Sequence, residues 1–425
     1  MRRVYTLLLW LALPFASLLV LWRGIGRRDY WRGWGQRFGV GVRCDAPHVW
    51  VHAVSVGEAQ AACIVVRAML AAQPRVRILL TSATPTGRER ARQQLAGTVD
   101  IRYAPYDLGF VIRRVLRGAR VSTLVVLEAE IWPNLWHECA AAGVPVCMVS
   151  ARVSARSVRR FNAFKGLLSA RALANLRVAA QTAADAERFA QLGIAPSAVS
   201  VCGNLKFDQR EDDAQRQRGA ALRAYYAVSR PLWVAGSTRD TEEAAVLDAH
   251  DALCASRGDC LLVLAPRHPQ RFEVVASLLR ERATAFIRRS ECLSASDSDA
   301  NRAAARVLLL DRLGELTDFY AASDLAFVGG SLVPVGGHNL LEPAVLGVAT
   351  IAGPQQFNAP DIARRLRERG ALCVVENAAE LSAAVVRLMN DAAARRMLGE
   401  AARATVADSR GALQKILQLI GSAAS

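Results

Sequence analysis

From His48 onward, short β-branched apolar runs alternate with longer segments of helical periodicity. This is the pattern of βα units wound around a parallel sheet. In the first half it predicts strands at 48–52, 76–81, 99–103, 121–127, 145–149, 176–180 and 199–202. A second series is predicted at 232–236, 260–265, 307–310, 324–328, 349–352 and 372–375. Between the two series, 208–218 (DQREDDAQRQR) is polar and reads as a linker, while the Ala- and Leu-rich stretch 379–421 reads as closing helices. The expected organisation is α/β, with two Rossmann-like domains at 44–207 and 231–405. Residues 208–230 join them, and a helix in 406–425 is available to pack back on the first domain. Ligands of open α/β sheets bind outside the carboxyl ends of the strands. Functional residues should therefore follow strand ends and face a cleft between the domains.

Val4 to Trp22 is an uncharged run of 19 residues. As a helix rising ~1.5 Å per residue it nearly matches a ~30 Å hydrocarbon core. Residues 1–43 are accordingly read as a membrane anchor with a basic, aromatic juxtamembrane segment. Arg2 and Arg3 precede the run, and Arg23, Arg27, Arg28, Arg32 and Arg37 follow it among Trp22, Tyr30, Trp31 and Trp34. Such a flank keeps the following chain on the cytoplasmic side. A cleaved signal peptide is the rival reading, but no small-x-small site precedes the arginines. Pro14 leaves both a spanning helix and a shallow one open.

The 425 residues hold 54 basic and 38 acidic side chains, a formal net charge of +16. That balance favours nucleic acid, anionic lipid or a phosphorylated substrate as partner. The basic residues include only three lysines, Lys165, Lys206 and Lys415, which makes each worth following. With 52% apolar residues and a mean hydropathy of +0.16 the chain is neither disordered nor collagen-like. Nine cysteines without a Cys-x-x-Cys pair read as reduced thiols, with neither a zinc site nor a disulfide scaffold. Asp297 and Asp299 fall in a Ser- and Ala-rich loop and read as solvated, so no metal site is expected.

Five segments carry candidate chemistry. In 54–58 (VSVGE), Ser55 and Glu58 have capping-box spacing, so Glu58 is either a helix cap or a general base at a strand-to-helix turn. In 128–134 (EAEIWPN), Glu128 ends a very apolar strand, where a carboxylate must be paired or functional. In 203–208 (GNLKFD), Lys206 is either a compact cation for a phosphate or a solvated partner of Asp208. In 266–269 (PRHP), Arg267 and His268 suit a phosphate, or simply a rigid turn framed by prolines. The glycine-rich loop 329–337 leads to a helix expected near Asn339, whose free N–H groups and dipole suit an anion, with Glu342 placed to accept from ribose hydroxyls. The stretch 313–316 (LGEL) is a weaker ligand-contact signal. No Gly-x-Gly-x-x-Gly or Walker A sequence follows the first strand, which removes the strongest marker of dinucleotide or P-loop chemistry.

In their order, VSVGE, EAEIWPN, GNLKFD, PRHP and 336–343 (GGHNLLEP) resemble the 3-deoxy-D-manno-octulosonic acid (Kdo) transferase family of lipopolysaccharide assembly, over essentially the whole chain. The resemblance implies a GT-B glycosyltransferase, inverting, without a metal or other cofactor. It also implies CMP-Kdo as donor and the lipid A precursor lipid IVA as acceptor, at the cytoplasmic face of an inner membrane of anionic lipids. It puts the general base on Glu58 and transition-state stabilisation on Glu128 and Lys206. The CMP-Kdo contacts fall on Arg267, His268, Leu313, Gly314, Glu315, Gly336, Gly337, His338, Asn339, Leu340, Leu341 and Glu342. One departure stands at 239 and 240, Arg and Asp here, where the family more often has His and a small residue. The rivals are another GT-B enzyme using a UDP-sugar on a lipid acceptor and a membrane-tethered nucleic-acid-binding protein. The absence of long basic tracts or aromatic-interleaved RNA motifs speaks against nucleic acid as a partner.

Overall fold

The computed structural model describes all residues except 27–32, 96, 129, 164–165, 210–211, 293–298 and 425. Two compact units result, one of Met1–Asp208 with Arg410–Ser425, the other of Gln209–Ser409. In the first unit, β1 (His48–Ala53), β2 (Ile78–Ser82), β3 (Asp100–Tyr103), β4 (Val121–Leu127), β5 (Val146–Ala151), β6 (Leu176–Ala180) and β7 (Val199–Val201) form a parallel sheet, sheet A, of order β3-β2-β1-β4-β5-β6-β7. In the second, β8 (Leu232–Thr238), β9 (Leu261–Pro266), β10 (Phe286–Arg288), β11 (Val307–Leu309), β12 (Leu325–Val328), β13 (Ala349–Ala352) and β14 (Cys373–Val374) form sheet B, of order β10-β11-β9-β8-β12-β13-β14.

Parallel strands covered by helices on both faces read as near-continuous apolar runs, and the central strands do so with few polar positions, such as His52 and Thr123, while Asp100 and Arg102 fall on the marginal β3. Along β1, Trp50 enters one core with Leu79, Leu124, Trp136 and Met148, while Val49, Val51 and Ala53 enter the other with Val66, Leu80 and Val125. Likewise in β8, Trp233 and Ala235 face one cluster, Leu232 and Val234 the other. Each fully buried side chain of this kind contributes about 1.5–3 kcal/mol, so these double-sided cores dominate stability. Each sheet begins at its centre. β1 lies between β2 and β4, and β8 between β9 and β12, which creates a topological switch point at the carboxyl edge of each sheet.

β10 has no counterpart in the sequence pattern. It is three half-buried residues at a sheet margin, too short for an alternation to register. The polar stretch expected as a linker is mostly helix. Asp212 caps Asp213–Tyr226, and Arg218 and Arg223 on that helix pair with Asp318 and Asp324 of the second unit. Its polarity marks a solvated helix face. The helix Ala412–Ala424 belongs to the first unit, where Ile416 and Ile420 complete the core beside Val49 and Val51. Asp208 anchors it, accepting from Gly411 N and Leu413 N at 2.7 Å each.

The amino-terminal run forms a helix, Arg2–Gly26, interrupted by Pro14. Among the described residues, however, no helix is long and apolar enough to cross a membrane, so the spanning anchor is not upheld. Polar bonds tie its first turns to the first unit. Tyr5 Oη donates to Asp107 at 2.9 Å, Arg2 and Thr6 reach Asn134 Oδ1, and the Trp10 ring stacks on Phe110. Hydrocarbon would leave such groups without water, whereas the domain surface satisfies them. The juxtamembrane residues Arg27, Arg28, Tyr30, Trp31 and Arg32 lie outside the described residues.

Asp208→Ala should lower unfolding free energy by about 1–2 kcal/mol, because two amide donors of the carboxy-terminal helix lose their acceptor. Urea denaturation of the two proteins measures it.

Candidate active site

In sheet A the side chains of interest follow β1 and β4, the two strands at the switch point. The chain leaves β1, turns at Ser55 and enters the helix Val56–Ala72. Ser55 Oγ accepts from Glu58 N at 3.2 Å and donates to Glu58 Oε1 at 2.9 Å, and Val54 N donates to Oε2 at 2.7 Å. Glu58 thus does cap the helix, although its carboxylate reaches Val54 rather than the Ser55 amide. A carboxylate has about four acceptor sites. With one donor on each oxygen, Glu58 keeps lone pairs for a further proton. The residue is 7% exposed. Burial pushes its carboxyl above the usual glutamate range, the like charges of Glu130 and Glu128 add to the rise, and the Val54 and Ser55 hydrogen bonds oppose it.

Glu128 follows β4 with φ 56°, a left-handed conformation that a residue with a side chain seldom adopts. Its carboxylate meets Arg152 at 3.5 Å and Lys206 at 3.8 Å. The structure therefore joins two of the residues singled out in the sequence. Lys206 is paired with Glu128, while Asp208, its other expected partner, is occupied by the carboxy-terminal helix. Glu130 accepts from Trp132 Nε1 at 2.8 Å. Ala129 between them lies outside the described residues.

In sheet B the corresponding positions follow β8, β9 and β12. Glu242, 1% exposed, accepts from the backbone N–H groups of Arg239, Gly330, Ser331 and Leu332 at 2.7–3.0 Å. A protein carboxylate thus fills the amide cradle that opens the glycine-rich loop. Gly337 N is also used, on Gly330 O, and Gly336 and Gly337 fold the loop back against Gln356, Phe357 and Asn358. The helix expected near Asn339 begins at Leu341 and ends at Val345. Asn339 Oδ1 accepts from Leu341 N, and its Nδ2 donates to Glu342. A helix of five residues has little macrodipole, so anion attraction here rests on side chains.

Those side chains converge. Arg239 Nε donates to His338 Nε2 at 3.2 Å, and Arg239 Nη1 meets His268 Nε2 at 2.6 Å. An arginine can only donate, so both imidazoles accept at Nε2 and carry their proton on Nδ1. Burial and the charges of Arg239 and Arg267 hold His338 at about 4, and His268 is lowered by the same causes. Two neutral imidazoles with a free Nδ1–H, beside the guanidinium groups of Arg239 and Arg267, make a cationic cluster with directed donors. Gly330 permits it, because a Cβ there would stand 2.7 Å from the His338 ring. Of the predicted contacts, Arg267, His268 and His338 come together. Glu315 is instead paired with Arg289 and Arg312, Gly314 is a positive-φ turn, and Leu313 is exposed. Arg239 was absent from the predicted contacts, its one signal being the departure from the family at that position. Asp297 lies outside the described residues, and among those described no three His, Cys, Asp or Glu side chains form a metal-ligating group.

Residues 32–209 match the family described as 3-deoxy-D-manno-octulosonic-acid transferase (kdotransferase), and residues 297–405 match the glycosyl transferases group 1. The chain is similar to the 3-deoxy-D-manno-octulosonic acid transferase of Haemophilus influenzae, with 36% identity covering 99% of this chain and 98% of that protein. It is 38% identical to the transferase of the same description from Bordetella pertussis, over 99% and 98% of the two chains. Among solved structures, MurG of Acinetobacter baumannii shares the fold at a TM-score of 0.53, with 15% identity, 89% of this chain and 100% of that one covered.

The environment of Glu58 gives opposite signs for two substitutions. Ser55→Ala removes a donor to the ionised form and should move the Glu58 titration further up. Glu130→Gln removes a like charge and should move it down. Carboxyl carbon NMR of 13C-glutamate-labelled protein reads both.

Proposed function

The chain belongs to the Kdo transferase family, and on that premise we propose that it transfers Kdo from CMP-Kdo to a hydroxyl of the lipid A precursor lipid IVA, with inversion at the anomeric carbon. Kdo transfer in lipopolysaccharide synthesis and the two-sheet α/β fold of GT-B glycosyltransferases follow from the relatives and the fold. Donor, acceptor and mechanism are the reading proposed here. The observation that carries it is Glu58, a buried, oriented carboxylate with spare lone pairs at the switch point of sheet A.

In this reading Glu58 takes the proton of the acceptor hydroxyl as that oxygen attacks C2 of Kdo and the C2–O bond to CMP breaks. A base must be ionised before it can act, and a carboxyl raised by burial is a stronger base once ionised. The leaving CMP carries its bonding electrons as phosphate charge. Arg267, Arg239 and the Nδ1–H groups of His268 and His338 suit that charge, because they are present before it develops. Lys206, held by Glu128, supplies a further cation near the base. No metal is invoked, because guanidinium and imidazole donors serve the leaving group.

We also place the enzyme on the cytoplasmic face of the inner membrane, on anionic lipid. What supports this is the helix Arg2–Gly26, on which Val4, Leu7, Leu8, Leu11, Phe15, Leu18 and Trp22 are all exposed. A helix tied to its domain by one face and apolar on the other suits an in-plane position at the headgroup boundary.

Incubation with CMP-Kdo and tetraacylated lipid A precursor, in chelator, should yield Kdo-bearing lipid by mass spectrometry, with inhibition by CMP and not UDP. Glu58→Gln should bind CMP normally and lose transfer by about 10²- to 10⁴-fold. Near-normal turnover would leave Glu58 as a cap alone. Leu7→Asp with Leu11→Asp should shift the protein from the membrane to the soluble fraction after cell lysis, and unchanged sedimentation with membranes would exclude the in-plane helix.

A further inference from the structure

On β1, shortly before the Glu58 turn, stands a histidine that the transfer reading leaves unused. His52 is fully buried, and burial holds its imidazole neutral, at about 4. Trp50 Nε1 donates to Thr81 Oγ1 at 2.8 Å, and the same oxygen lies 3.0 Å from His52 Nδ1 and 3.5 Å from Val51 O. A hydroxyl that accepts from the indole has one proton to give, and the shorter contact takes it. His52 Nδ1 is then an acceptor, and the ring proton sits on Nε2, a buried atom without a hydrogen-bond partner.

A buried donor left without an acceptor is destabilising, and the face of an aromatic ring is a weak acceptor for it. The Trp132 ring stands 4.6 Å from the His52 ring and at 77° to it, an edge-to-face contact. Trp50 is farther, at 6.1 Å, and spends its own N–H on Thr81. Trp132 is half-buried and opens the helix Pro133–Ala142. Its Nε1 donates to Glu130 Oε2 at 2.8 Å, and among the described residues Glu130 has no other hydrogen-bond or ion-pair partner. Glu128, by contrast, is held by Arg152 and Lys206. The place of the Glu130 carboxylate thus follows the place of the indole. Of the charged groups around Glu58, on its own helix and on the helices Pro85–Leu95 and Ala412–Ala424 packed against it, the two that act most on it are Glu130 and then Glu128.

We propose that His52 is a positioning residue of the transfer site. Tethered to Thr81 through Nδ1 and donating its Nε2–H to the face of Trp132, it fixes the indole that holds Glu130, and with it the negative charge that acts on Glu58. The purpose of this arrangement rests on the transferase reading above. A base kept near a like charge takes the acceptor proton more readily once it is ionised.

The test uses two variants. His52→Leu fills the core position and removes both nitrogens, while Trp132→Phe keeps a ring against His52 and removes the donor to Glu130. Glu58 is titrated by carboxyl carbon NMR of 13C-glutamate-labelled protein, and transfer from CMP-Kdo is followed against pH. Each variant should move the Glu58 titration down and the acidic limb of the kcat profile with it. Each should also lower the plateau of kcat about threefold or more and leave KM for CMP-Kdo unchanged. In a Glu130→Gln background neither should move Glu58 further, whereas a loss of packing alone would add its own shift. The wild type gives a reading that needs no variant. Long-range 1H–15N spectra of its imidazoles should show His52 protonated on Nε2, with that proton shifted upfield by the indole ring. An Nδ1–H tautomer, an unmoved Glu58 titration, or additive shifts in the Glu130→Gln background would overturn the positioning role. If Glu58 responds as expected but the wild type transfers no Kdo, the transferase reading falls and the hold of His52 on Trp132 and Glu130 stands.

Discussion

A carboxylate taken out of water must be met by hydrogen-bond donors, and both units of this protein are organised around that requirement. Parallel strands all end at the same edge, so the backbone N–H groups of the following turns gather there. Glu242 draws four of them together and so sets the course of the loop after β12. Glu58 takes one amide and one hydroxyl, which fixes the turn after β1. Asp107 takes the amides of Asn134 and Leu135 with the hydroxyl of Tyr5, joining the amino-terminal helix to the domain. The difference between Glu242 and Glu58 is the number of donors. A carboxylate on four amides has its acceptor sites filled, whereas one on two donors keeps lone pairs open.

Much of this was legible in the sequence for a physical reason. Strands buried on both faces are continuous apolar runs, so 121–127 (VSTLVVL) announces β4 to the residue. The switch points also follow from strand order, which puts candidate residues after β1, β4, β8 and β9 once those runs are assigned. What escaped was whatever depends on a partner distant in sequence. The amides of the glycine-rich loop read as free because Glu242, about ninety positions earlier, carries no local sign of being their acceptor. Arg239 bonds His338 across 99 positions, and no pattern within a window of one helix reports that. The helix expected near Asn339 starts two residues on, at Leu341, whose N–H donates to the Asn339 side chain.

Polarity misled in the opposite direction at two places. A charged run reads as a linker, yet it forms a helix of the second unit, Asp213–Tyr226, whose Arg218 and Arg223 pair with Asp318 and Asp324 of that same unit. An uncharged run reads as a membrane anchor, spanning or shallow, yet its tyrosine, threonine and flanking arginine are bonded to Asp107 and Asn134. In both cases composition measured the average character of a helix, and the outcome turned on its two faces. One face of each is held by the domain, and the free face alone meets solvent or lipid.

The charge of +16 can be resolved on the same terms. Many arginines are neutralised in ion pairs, such as Arg271 with Glu243 or Arg288 with Asp311, and these do not attract a ligand. In the second unit, Arg239 and Arg267 stand beside two imidazoles instead of a carboxylate. Imidazoles held neutral add hydrogen bonds without adding charge, which in the proposed transfer suits a phosphate that must be gripped and then released.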